Sequence, residues 1–409
     1  MAPPPRAPIP VPIMGLTGAS FGMIGGIMAV TVPQLLASVG APESRIAEVT
    51  AFAMSPGMCA FLLSPVLDLW IRRRTWAVLL ALASTLFTGA AFLSLRNIPL
   101  FAPLLFAGFA SIVLSSAAAG GWLGGLVSDH DRSRLGAWNT VGNIGGGGVA
   151  MVIAIPLLRS LPFELGVVVL LGLTLAPLIP FLWLPAPTSD AKLSHERFLA
   201  LILDVCALLR RPAILRLLIV FLAPAAAFAL TNTLGGLGGQ FHASERFVGM
   251  VGGLGVVAAG VLGSLVVPPL LDRVAPVRLY LLIGVVGAIF TASLLLLPRT
   301  PAVFGLAMLG ENAFQSAAFA TGLSITYRSL GEDNPLAATQ VALLLAAANA
   351  PIVYMQMIDG RAFGFGGLGG SLRADAGISL LACVALFVAL GLWRSGAAEA
   401  GPPRSTATG

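Results

Sequence analysis

The feature that most constrains this chain is a succession of apolar runs, each about 20 residues long, separated by short loops that hold most of its charge. Only 10% of the 409 residues are charged and 57% are hydrophobic, too little polar surface to solvate a globular domain of this size. The runs do not alternate apolar and polar residues as barrel strands do. Inside hydrocarbon the backbone must then bond within each segment, which leaves helices. The expectation is an all-α integral membrane protein whose core is built against a lipid bilayer.

Twelve spans fit the sequence, near 12–38, 46–67, 76–95, 101–127, 135–158, 165–184, 213–240, 247–271, 277–297, 302–327, 337–358 and 375–393. The one long polar break lies between the sixth and seventh, from Pro185 to Pro212. It divides the chain into an N-terminal half over 1–184, a linker over 185–212 and a C-terminal half with a short tail over 213–409. Within the linker, Phe198, Leu201, Ile202, Val205, Leu208 and Leu209 recur at three-and-four spacing, which predicts an amphipathic helix on the cytoplasmic membrane face. No small-residue cleavage site follows the first apolar run, so that run is read as an anchor rather than a removable signal.

Sixteen of the 23 Lys and Arg residues fall on the side of the N-terminus. That bias predicts both termini in the cytoplasm, at the plasma (inner) membrane. The pI of about 10.0 reflects these short basic loops and does not indicate nucleic acid. Cys59, Cys206 and Cys383 show no CxxC spacing, and the three histidines are scattered among separate loops. No metal set, cofactor motif or nucleophile–base pair is apparent, so neither a metal site nor an enzyme is expected.

An internal repeat supports the division into halves. Ser64-Pro-Val-Leu-Asp68 closes the second span and Pro268-Pro-Leu-Leu-Asp272 closes the eighth, each followed by basic residues and a new apolar run. Two six-helix halves in parallel repeat resemble the major facilitator superfamily. The resemblance implies a solute site between the halves near the midplane, lined by spans one, four, seven and ten. It also implies that Asp68 and the cluster Arg72, Arg73 and Arg74 act as a gate, with Asp272 and Arg273 as their counterparts in the second half. A carboxylate at a helix end near guanidinium groups makes contacts that break when the halves rock, and Asp68 is the strongest candidate.

Three patches narrow the resemblance. The proline before Asp68 with Arg72-Arg-Arg-Thr-Trp76, Glu311-Asn312 followed by small and polar residues, and Ala338-Thr339-Gln340 opening span eleven are similar to the muropeptide permease (AmpG-type) and acetyl-CoA transporter branch. That branch implies a permease for proton symport. In span four, Ser115-Ser-Ala-Ala-Ala-Gly-Gly-Trp-Leu-Gly-Gly125 stands where the branch carries a carboxylate motif. This departure favours a more apolar cavity and a different solute.

Glu311 is the acid placed deepest in an apolar run. Counted from Ala302 at about 1.5 Å per residue it lies roughly 14 Å into the span, near the middle of a hydrocarbon core about 30 Å thick. Intramembrane ionisable residues are functional by default, so Glu311 is expected to face the cavity and to couple transport to protons. The alternative is a protonated glutamate that bonds to a neighbouring helix and holds the bundle together. Asn312 and Gln315 accompany it, and with Gln34, Trp122 and Asn232 they form the candidate solute cavity. Asn139, Asn143 and Asn349 are read as packing residues. Gly18, Gly22 and Gly26, and Gly142 and Gly146, have the four-residue spacing that lets helix backbones approach.

These observations predict a monomeric secondary transporter acting on a small-molecule solute and protons. Import of a muropeptide-like, siderophore or acyl solute by alternating access is the leading reading. Efflux of amphipathic compounds, or a non-transporting receptor or assembly factor on the same fold, is the alternative.

Overall fold

The computed structural model describes residues 9–185, 198–225, 227, 235–331 and 334–399. Among these, 86% are helical and no strand is present. In chain order the helices are α1 (Val11–Ser38), α2 (Glu43–Met54), α3 (Arg73–Leu93), α4 (Ile98–Gly124), α5 (Asp129–Ser160) and α6 (Phe163–Leu182). After the linker come α7 (Phe198–Arg210), α8 (Pro212–Leu222), α9 (Glu245–Leu271), α10 (Pro276–Leu296) and α11 (Pro301–Ser329). The last helical stretch, Ala337–Glu399, folds back on itself at Gly366–Gly367, giving arms α12 and α13. Gly367 has φ +57° and ψ −152°, a conformation glycine adopts without steric cost.

Eight helical segments among the described residues are long and apolar enough to cross a membrane, the folded stretch counting as one. Proline decides where the expected spans depart from straight helices. The second ends as a helix at Met54 and continues through short tight turns around Pro56 and Pro65 to Asp68. The seventh stops at Leu222, just before Pro224. In α6 the final turns, Ala176–Leu182, tighten around Pro177 and Pro180.

The interior holds apolar clusters confined to one half of the chain and others shared between the halves. One apolar cluster is built wholly from buried residues between Met23 and Leu171, another wholly from residues between Phe241 and Leu372. A third joins Val11–Leu184 to Leu323–Ala342 at the membrane face that carries Arg72–Arg74, here called the basic end. Large aliphatic side chains such as Leu86, Val168 and Leu381 point outward, as a surface solvated by lipid requires.

Glycines set the helix spacing in the first bundle. A Cβ on Gly22 would collide with the carbonyl oxygen of Asn143, and one on Gly146 with the carbonyl of Ala19, so α1 and α5 touch backbone to backbone. The linker helix α7 packs Val205 and Leu208 against Leu69, Ile214 and Leu336 at the basic end, while Leu203 and Leu209 remain exposed.

Candidate functional site

A cavity of about 270 Å³ lies between the bundles, with walls from α1, α4 and α5 on one side and from α9, α11 and α12 on the other. Among the described residues no charged side chain lines it. Its polar groups are mainly carboxamides and hydroxyls, including Asn139, Asn143, Asn312, Gln315, Ser316 and Asn349, set among Phe21, Phe61, Val113 and Phe319. Gln315 donates its side-chain amide to the Ala227 carbonyl at 3.0 Å. Asn312 donates to the Met308 carbonyl at 2.8 Å on its own helix, which leaves the carboxamide oxygen as its acceptor for a ligand.

Asn139, Asn143 and Asn349 therefore line the cavity, although their helices are read from sequence as packing elements. Their signal was present in α5: four-residue spacing places Asn139 and Asn143 on one face, while Gly142 and Gly146 occupy the face against α1.

Glu311 is fully buried, yet the cavity wall is formed by its neighbours Asn312, Gln315 and Ser316. Its carboxylate Oε1 accepts the hydroxyl of Thr291 on α10 at 3.0 Å. The expectation that it faces the cavity is thus corrected. Four helical residues advance about 40° beyond one full turn, and the cavity edge falls between positions 311 and 315.

At the basic end Asp68 closes the two bundles together. Its Oδ1 accepts Arg73 Nε at 2.7 Å and the Ala338 amide at 3.2 Å. Its Oδ2 accepts the Thr339 amide at 2.9 Å and the Thr339 hydroxyl at 2.6 Å. The carboxylate sits on the first turn of α12, where unpaired amides and the helix dipole favour an anion. Arg73 Nη2 continues across to the carbonyls of Asn334 and Pro335 at 3.0 and 2.6 Å. Both side chains are buried, at 1% and 3% exposure.

Sequence reasoning missed two further bridges at this end. Arg132, 5% exposed, donates to the Gly124 carbonyl at 3.1 Å and across the bundles to Gly331 at 3.3 Å. The Ser324 hydroxyl donates to the Ser133 carbonyl at 3.0 Å. Arg132 reads in sequence as one more topology-setting arginine, and only the approach of Gly331 reveals its reach.

The remaining candidates fall elsewhere. Gln34 is exposed and lines a separate cleft at the opposite end beside Arg96, Asn97 and Arg159. It lies beyond a π turn over Ile27–Thr31, whose extra residue rotates the last turns of α1 away from the cavity. Trp122 is fully buried, donates its indole N–H to the Pro185 carbonyl at 2.9 Å and meets Phe181 edge-on, so it packs rather than lines the cavity. Arg72 is exposed, and Arg74 donates to the Leu182 carbonyl at 3.3 Å with its guanidinium over the Trp122 ring. Asp272 and Arg273 follow the end of α9 and are exposed, unlike the buried Asp68 and Arg73. Asn232 lies outside the described residues.

Comparison with known proteins bears on the whole architecture. Residues 14–352 match the sequence family described as Major Facilitator Superfamily. No curated protein matches. Among solved structures, a bacterial homologue of the iron transporter ferroportin in its outward-facing state is 15% identical, with TM-score 0.67 over 95% of this chain and 100% of the other. The human organic anion transporter MFSD10 is 18% identical, with TM-score 0.67 over 94% and 100%. The E. coli fucose:proton symporter FucP is 15% identical, with TM-score 0.67 over 94% and 99%. At these identities the likeness is one of fold.

Proposed function

The chain belongs to the major facilitator superfamily, and from that premise we propose that it carries a compact, uncharged or amphipathic solute across the membrane by alternating access, coupled to protons. The uncharged cavity ringed by carboxamides is the observation that carries the reading. A volume of about 270 Å³ lies just below the roughly 300–1,000 Å³ usual for drug-sized ligands, which favours a compact solute over a muropeptide or siderophore.

In this reading the basic end is cytoplasmic and the chain acts as a monomer of two six-helix halves. Asp68, Arg73 and Thr339 lock the cytoplasmic gate, and rocking of the halves breaks their contacts. Glu311, one residue behind the cavity wall, takes up the coupling proton, and loss of its charge alters its bond to Thr291 on α10. Uptake with protons is the direction assigned. Efflux of amphipathic compounds is the second reading, favoured by the same uncharged lining.

The test is thermal stabilisation of the purified protein by a panel of neutral amphipathic compounds, acyl compounds, siderophores and anhydromuropeptides, followed by flux of each hit in proteoliposomes under pH gradients of both signs. Stabilisation and gradient-driven flux of a compact neutral or amphipathic solute are expected. Stabilisation by muropeptides alone, or binding without flux, would overturn the reading.

A further inference from the structure

The cleft that holds Gln34 takes no part in the proposed transport cycle, yet its volume of about 790 Å³ is well above that of the central cavity. It is framed by the ends of α1, α3 and α5 and the starts of α4 and α6. Helix α3 runs for 21 residues, a rise of about 31 Å, so Arg96 just beyond it lies roughly one hydrocarbon core away from Arg72–Arg74 at the basic end. The cleft therefore opens at the level of the lipid headgroups on that side.

Its wall has a polar and an apolar part. Gln34, Ser94, Arg96, Asn97 and Arg159 form the polar part, and among the described residues neither guanidinium makes a hydrogen bond or an ion pair. Basic residues are biased toward the other face, so topology asks for no arginine here. Glu164, the one acid on the wall, stands in the first turn of α6, where the helix dipole favours it. Two arginines against one acid leave the wall positive. The apolar part includes Leu93 and Leu100, which are 62% and 47% exposed, so bare hydrocarbon adjoins the two cations.

A soluble anion would occupy the guanidinium groups and leave these leucines uncovered. In a bilayer they are covered by acyl chains, whose phosphates then reach the height of the arginines, where the forked donors of arginine match a phosphate. The cleft is within the range of roughly 300–1,000 Å³ that admits drug-sized ligands, room for a phosphate and its glycerol.

We propose that this cleft binds an anionic phospholipid of the leaflet opposite the basic end, its phosphate held by Arg96 and Arg159 and its acyl chains laid along Leu93 and Leu100. Bound there, the lipid ties the ends of α1, α3 and α5 to the start of α6 and makes the stability of the first half depend on the composition of that leaflet. The site shares no lining residue with the central cavity.

The experiment is the melting temperature of the full chain in maltoside micelles titrated with dioleoyl phosphatidylglycerol, for wild type, Arg96→Gln, Arg159→Gln and Arg299→Gln. Arg299 is exposed beyond α10 and lies outside the cleft. A saturable rise of about 2–4 °C is expected for wild type and for Arg299→Gln. Before lipid is added, both cleft variants should melt with wild type, because the side chains they replace are exposed. They should then need about 10-fold more lipid for the same rise. An equal rise with phosphatidylcholine or phosphatidylethanolamine, or an unchanged titration in both cleft variants, would overturn the site. Stabilisation by inorganic phosphate or glycerol phosphate equal to that by the lipid would also overturn it, since the ligand would then be a soluble anion.

Discussion

The hydroxyl of Thr339 lies 2.6 Å from Oδ2 of Asp68, although 271 residues separate them. Through this contact a loop of the first bundle reads the first turn of a helix in the second, and the carboxylate gathers four donors. Thr339→Val should remove one charge-assisted bond worth about 1.5–3 kcal/mol and shift the balance toward an open basic end by roughly 10- to 100-fold. Labelling of a cysteine placed at Asn349 by a thiol reagent supplied from the basic end measures this. Thr339→Ser should restore protection.

Asp68→Asn should be more damaging. It leaves the 3% exposed Arg73 without its buried carboxylate, a change that costs about 3–5 kcal/mol in such pairs. The readout is the denaturation midpoint in detergent, and a variant as stable as wild type would show that the pair contributes nothing net.

Glu311→Gln keeps a carbonyl oxygen that the Thr291 hydroxyl can reach, so the folded protein should survive with a melting temperature close to wild type. Proton-driven accumulation should disappear while solute counterflow persists. Loss of the folded protein would instead make Glu311 a structural residue.

Gln315→Ala should weaken solute binding by up to about 10-fold, the size of one neutral hydrogen bond of about 0.5–1.5 kcal/mol. The ligand concentration giving half-maximal stabilisation reports it. Gln34→Ala, in the separate cleft, should leave that concentration unchanged.

The α1–α5 contact predicts a sharp contrast between neighbouring glycines. Gly22→Ala drives a methyl group into the Asn143 carbonyl and should cost about 1–3 kcal/mol as overpacking. Gly25→Ala meets nothing within 4 Å and should be neutral or slightly stabilising. Paired thermal melts of the two variants decide it.

Hydrophobicity and covalent spacing, which act locally, account for everything that was legible in the sequence by itself. Apolar runs near bilayer length, the fold class, the glycine stripe on α1 and the deep placement of Glu311 all depend on residues close in the chain. Asp68 was legible for the same reason, since its proline, its acid and its arginines are contiguous. Tertiary structure decided which face of each helix looks inward and which loops meet. The π turn over Ile27–Thr31 turned Gln34 out of the cavity, and a helical offset of about 40° placed Gln315 on its wall with Glu311 behind it. Arg132 acquired its bridge only when Gly331 approached, and the two arms of the last helix meet only because Gly367 folds it back. A hydrophobic period reports that a helix has an inside, but small rotations and distant contacts choose what the inside contains.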